Sequence, residues 1–163
     1  MSLSVGSALT DELMARLGGQ HVAAHAEKVI LLASVDERGW PHVAMLSYFE
    51  VIARDSRTLY LAIGGRSTSA RNLRAREKLT LIVVDVGLAS YVKGRAQEVK
   101  PHMEVSPEDA IFRITVEDVL LDQAREGESP AAIASPVTYR CADPDFWKRR
   151  GEAIFRELTS WTL

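Results

Sequence analysis

Residues 29–63, VILLASVDERGWPHVAMLSYFEVIARDSRTLYLAI, decide the fold. Residues 29–35 are apolar on both faces, the mark of a central, buried strand. DERG at 36–39 is a turn, and residues 41–52 (PHVAMLSYFEVI) are expected to be a second strand, paired with the first as a hairpin. RDSR at 54–57 is the next turn, and TLYLAI at 58–63 a third strand. Connections this short can join only antiparallel neighbours, because a parallel crossover needs a dozen or more residues.

Outward from this block, the third strand runs into Gly64-Gly65, Arg66 and three hydroxyl residues, Ser67, Thr68 and Ser69. A helix is expected over 70–78. Glycine permits a sharp turn and a close approach to a ligand. Ser and Thr are good N-caps. The first turn of a helix has free N–H groups and the positive end of the dipole, so it can hold an anion. Arg66 and Arg71 add positive charge, which makes residues 63–72 a candidate phosphate site. The same letters also write any strand-to-helix turn.

Further along, 79–85 (LTLIVVD) is a fourth strand, apolar on both faces. A fifth, 90–100, contains Gly94, where a bulge or close approach belongs. Ser106-Pro107 predicts a short helix start. The sixth strand, 111–121, alternates Phe112, Ile114 and Val116 with polar residues, so one face is expected to be wet. Residues 125–135 read as a loop and 136–140 as a short edge strand. Asp143-Pro144 opens a last helix, 145–161, with Trp147, Ile154, Phe155, Leu158 and Trp161 on one stripe. Before the first strand, Thr10 caps a helix over 10–17 that Gly18-Gly19 stop, and 20–28 adds a helical turn or two. Residues 1–3 carry no weight in this reading. The sum is a single mainly β (α+β) domain over 1–163. It has a helical segment at 8–27 and an antiparallel split β-barrel of six to seven strands at 28–140. One helix follows strand three and a C-terminal helix spans 144–161.

Composition narrows the function. The 163 residues are 47% hydrophobic and 26% charged, which suits a soluble globular domain. A net charge of −2 argues against nucleic acid as a partner. One cysteine, Cys141, excludes an intramolecular disulfide framework and fits a reducing, cytoplasmic setting. No apolar run is long enough for a membrane span, and no signal peptide is legible at the N-terminus. His21 and His25 stand i, i+4, but nothing nearby completes a metal site, so none is expected. No Ser-His-Asp order and no carboxylate pair stands out, and no catalytic side chain is assigned.

Several stretches, taken together, resemble the pyridoxamine 5'-phosphate oxidase-like, FMN-binding split β-barrel proteins. They are 29–35 followed by Asp-Glu-x-Gly-x-Pro-His (36–42), TLYLAI, STSARNLRAREKLTLIVVD and YVKGRAQEV. Ser67, Ala70, Asn72 and Leu73, then a strand and Gly94 to Ala96, give the order its specificity. The resemblance implies a homodimer with FMN at the interface. The flavin would lie along Met45, Leu46, Ser47 and Tyr48 and beside Ala62, Ile63 and Gly64. Its phosphate would rest on Ser67, Thr68 and Ser69, near Arg66, Arg71 and Asn72. The apolar first and fourth strands and the aromatic stripe of the last helix also favour a dimer.

The sequence departs from the oxidases themselves. Ala44 and Phe49 stand where they carry an Arg and a Lys, Thr68-Ser69 where they carry an Arg-Lys pair, and Ala89 where they carry a Gln. Oxidation of pyridoxamine phosphate is therefore not expected. Two lost charged contacts, about 1.5–3 kcal/mol each, weaken FMN roughly a hundred-fold or more, and Arg66 and Arg71 recover part of that. Two classes of function remain. One is an FMN-dependent oxidoreductase for a small molecule. The other is a non-catalytic dimer that binds a flavin, a deazaflavin or haem.

Overall fold

The computed structural model describes residues 2–123, 127 and 131–161. Among the described residues there are eight strands: β1 (Ser2–Gly6), β2 (Val29–Val35), β3 (Pro41–Ser47), β4 (Val51–Asp55), β5 (Thr58–Gly64), β6 (Lys78–Asp85), β7 (Leu88–Lys100) and β8 (Asp109–Asp122). Three α-helices accompany them: α1 (Asp11–Leu17), α2 (Thr68–Arg76) and α3 (Pro144–Ser160). Every pairing is antiparallel, in the order β3-β2-β6-β7-β8-β5-β4, with β1 against the end of β8. This curled sheet is the expected split barrel.

The expected second strand, 41–52, is broken. Tyr48–Glu50 forms a short 3-10 helix between β3 and β4. Its cause is a capping box: Ser47 N–H and Oγ–H both donate to Glu50 Oε2, at 2.7 and 2.9 Å. The consequence is large. β3 and β4 lie at opposite ends of the strand path although three residues separate them. That bend carries the chain from one margin of the sheet to the other and curls it into a barrel.

Three further differences have local reasons. Residues 2–6 pair with 119–122 as β1, although all five are exposed and so carry no burial pattern. Ser106 does not start a helix: its hydroxyl donates to the Asp109 carboxylate at 2.7 Å, and Asp109 already opens β8 opposite Gly64. Residues 136–140 give one bridge, Lys28 to Thr138, instead of a strand. Of the expected loop at 125–135, residues 125, 126 and 128–130 lie outside the described residues, and 131–135 are neither helix nor strand.

The helices close the barrel and cover it. Thr10 caps α1 by accepting from Leu13 N–H at 3.3 Å, and Leu13 and Leu17 enter the main core beside Leu32, Leu61, Leu81 and Phe112. Each such side chain stabilises by about 1.5–3 kcal/mol. Asp143 caps α3, which lays Ile154 and Leu158 on Ile52, Tyr60, Ala62 and Ile111 to form a second core outside the barrel. Gly151 is where α3 meets Phe49: a Cβ there would stand 2.5 Å from the ring. Gly94 combines a register shift with a backbone approach, since a Cβ there would lie 2.8 Å from Thr115 O.

Candidate functional site

The start of α2 follows from its sequence. Ser67 Oγ accepts from Ala70 N–H at 3.1 Å, so this hydroxyl is spent on the N-cap. Gly64 and Gly65 do not take positive φ, so the turn itself does not require glycine. A Cβ at Gly65 would be in ordinary contact with Glu108 O at 3.4 Å. The N–H groups of Thr68 and Ser69 belong to the first turn and have no acceptor within the helix.

Successive helical residues diverge by about 100°, and the three hydroxyls separate accordingly. Ser67 lines a cleft of 620 Å³ with Arg66, Arg74, His102 and Glu108. Thr68 lines another, of 540 Å³, between α2 and the β2–β3 turn, with Arg38, Arg71, Asn72 and Arg76. Ser69 turns inward and is 3% exposed. The expected three-hydroxyl cradle is therefore two clefts flanking one helix end. Asn72 is also buried and donates to Ser34 Oγ at 3.0 Å, tying α2 to β2.

Arginines line both clefts, beside Asp36 and Glu37 in the Thr68 cleft and Glu108 in the Ser67 cleft. Arg71 donates to Arg66 O and to Thr68 Oγ1, each at 3.0 Å, and both acceptors are neutral. Its charge stays available. Arg74 donates to Gly65 O at 2.6 Å and pairs with Glu98, which holds it over the turn. Arg38 and Arg76 line the Thr68 cleft although neither is among the expected site residues. Only the fold brings Arg38, on the β2–β3 turn, opposite α2. His102 lines the Ser67 cleft with Nδ1 2.9 Å from Pro107 O, a position the sequence did not signal. First-turn amides, the O–H of Thr68, which can still donate, and guanidiniums suit a phosphate.

The positions expected along the flavin are distributed differently. Met45 is 71% exposed on β3, an end strand of the sheet. Leu46 and Ile63 point into the main core, and Ala62 into the core under α3. Ser47 is buried in its capping box. Tyr48 does not face outward. It is 2% exposed and stacks on His25, ring centroids 4.8 Å apart. Burial, followed by the Asp85 charge, pushes its hydroxyl up to about 12. Phe49 packs on Gly151, so its side chain is turned to α3. Glu50 is pushed above the usual carboxylate range by burial, against the two Ser47 hydrogen bonds. His25 forms that ring stack, and among the described residues no three His, Cys, Asp or Glu are grouped to hold a metal.

Beside Tyr48 lies the most charged part of the interior. Asp85 is 3% exposed and meets Arg16 and Lys28, the latter at 2.6 Å. Burial pushes its carboxyl up, but the Lys28 hydrogen bond, the Val86 N–H and the Arg16 charge outweigh it and leave it lowered.

Residues 17–121 match the sequence model of the pyridoxamine 5'-phosphate oxidase family, well over half of the chain. The chain belongs to that family. The uncharacterized protein YclD of Bacillus subtilis is 25% identical over 152 residues, 91% of this chain and 96% of its own length. Among solved structures, HupZ of Group A Streptococcus superposes with a TM-score of 0.55 at 16% identity, over 76% of this chain and 98% of that one. An FMN-binding protein from Syntrophomonas wolfei gives 0.54 at 13% identity, over 70% and 88%. At these identities the two structures speak for the fold alone.

Proposed function

We propose that this protein binds FMN as a homodimer and uses it as an oxidoreductase for a small molecule. The observation that carries the reading is the half-buried start of α2, with an arginine-bearing cleft on either side. Family membership makes a flavin the natural owner of that phosphate site. Thr68 and Arg71 would hold the phosphate together with the first-turn amides. Arg66 would add charge from the Ser67 side. The ring would lie along β3, whose outer backbone edge is unpaired in the strand path, next to Met45. Leu46, Tyr48, Ala62 and Ile63 would act from behind, by fixing the strands in place.

A bound flavin would supply hydride and electron transfer. The chain's own part is to bind, orient and exclude water. Ala44 and Phe49 leave the β3 side without the charges of the oxidases, so pyridoxamine phosphate should not be turned over.

The dimer reading rests on the outer face of the sheet. Met45 lies opposite Leu31, Leu31 opposite Ile82, Ile82 opposite Tyr91 and Tyr91 opposite Leu120. This apolar row crosses five strands, and Val43 and Trp40 extend it at the margin, Trp40 being 70% exposed. A continuous apolar face of this kind marks an association surface.

The test is titration of free FMN, followed by quenching of its fluorescence. A saturable, stoichiometric quench is expected. Arg71→Ala should weaken it by about 1.5–3 kcal/mol. A merely structural Arg71 would cost about 0–1 kcal/mol of stability and leave the flavin affinity unchanged.

A further inference from the structure

The opposite end of β5 carries a third polar cleft. Thr58 and Gly64 are six residues apart, so the cleft lies roughly 20 Å from the start of α2 at strand rise. Its volume is 540 Å³, and Trp161, at the end of α3, closes one side. The floor is set by register. Tyr60 pairs with Arg113, and Thr58 with Thr115, so these side chains stand in two adjacent rows on one face. Arg54 enters from the irregular step in β4 between Ala53 and Asp55.

The two guanidiniums are poised for an anion. Arg54 Nη1 donates to Thr159 O and Arg113 Nη2 to Gln97 Oε1, both at 2.6 Å and both neutral acceptors. Neither arginine forms an ion pair among the described residues. A guanidinium has five donors in a planar fork, so most of each remains unused. Asp55 is the one acidic group lining the cleft, exposed and accepting from Arg57 N–H at 2.7 Å. It limits the favoured charge to a mono- or dianion.

The Trp161 ring gives an independent indication. Its Nε1–H is buried without an acceptor among the described residues, while Lys100 Nζ covers the ring at 5.1 Å from the centroid. A buried donor with no partner carries the full desolvation cost of an unmade bond, and such groups mark places where a ligand, ion or shift completes the structure. Trp161, which lines the cleft, thus carries a donor that gains from an acceptor brought to it.

We propose that this cleft binds a small oxyanion, a carboxylate or phosphate group, gripped between Arg54 and Arg113 with Trp161 moving against it. It is a second site, separate from that at α2, and its ligand is a metabolite-sized mono- or dianion.

Calorimetric titration with inorganic phosphate and, separately, with malonate tests it, at constant ionic strength held with chloride. Trp emission is followed in parallel. Saturable heat is expected with at least one probe. Binding of phosphate alone assigns a phosphoryl ligand, of malonate alone a carboxylate, and of both the shared chemistry. Arg113→Gln and Arg54→Gln, each checked by a thermal melt, should each weaken binding by about tenfold or more and leave FMN titration as in the wild type. Trp161→Phe should remove the emission change. Responses no larger than those to chloride, or equal affinity in whichever arginine variant stays folded, would overturn the proposal.

Discussion

At the scale of single residues, Asp85 concentrates the largest electrostatic risk. Its carboxylate is buried between Arg16 and Lys28, side chains that are themselves mostly covered. Asp85→Asn removes the carboxylate that Arg16 and Lys28 share, although Arg16 keeps Glu12, and breaking a buried pair this way costs about 3 kcal/mol or more. The pH dependence follows in sign. The folded carboxyl is held below its unfolded value of about 3.9, so its contribution is complete above that value. It is lost as pH falls through the lower folded one. Urea midpoints measured from pH 6 down to pH 3 should therefore fall more steeply in the wild type than in Asp85→Asn. Parallel curves would show that Asp85 carries no linked proton.

The same scale explains what sequence could reveal of the site. Ser67 as N-cap, Arg71 beside the first turn and Gly94 at a bulge were legible because each follows from local backbone chemistry. Ser69 is buried rather than on a cleft, as helical periodicity, which separates it from Thr68 by about 100°, already allows. Arg38 and His102 were not legible as site residues at all, since only tertiary folding brings their loops to α2.

Among the elements, the bend at 48–50 was the main feature missed. Its signal was present, since Ser47-x-x-Glu50 is a capping box. The apolar run around it reads as strand, and an alternating pattern does not report a bend between two strands. The hairpin β2–β3, the strand after it and the helix after β5 were legible because short polar turns separate strong apolar periods. β1 was invisible for the opposite reason: with every residue exposed, it leaves no pattern to read. The bend also sets a prediction for α3. Phe49, on the bend, fills the space over Gly151, and a Cβ there would stand 2.5 Å from its ring. Gly151→Ala should destabilise by about 1–3 kcal/mol through overpacking, read as a lower urea midpoint with an unchanged slope. A neutral or stabilising result would mean that α3 is free to slide on the 3-10 turn.

For the whole molecule, one sheet performs two tasks. Its inner face and α1 build the barrel core, and α3 covers part of the outside. The remaining outer face, from Met45 to Leu120, has apolar residues and no helix over it among the described residues. A second copy is the expected occupant, which would place two α2 sites against one shared surface. Light scattering at micromolar concentration should give twice the 18.0 kDa chain mass. Met45→Lys should shift the protein towards the monomer without lowering its melting temperature much, because Met45 is exposed in the single chain. A monomeric wild type would remove the interface from the account.

The central claim is that the open start of α2 holds the flavin phosphate. Thr68→Asp tests it most directly, since Thr68 lines the cleft with Arg71 and an acidic residue is favourable in a first helical turn. FMN titration of the wild type and this variant, each with a thermal melt, is the measurement. The account predicts saturable binding by the wild type and a loss of about tenfold or more in Thr68→Asp, with the melting temperature preserved. Equal FMN affinity in a fully folded Thr68→Asp protein would contradict it, and would leave this stretch as only a turn between a strand and a helix.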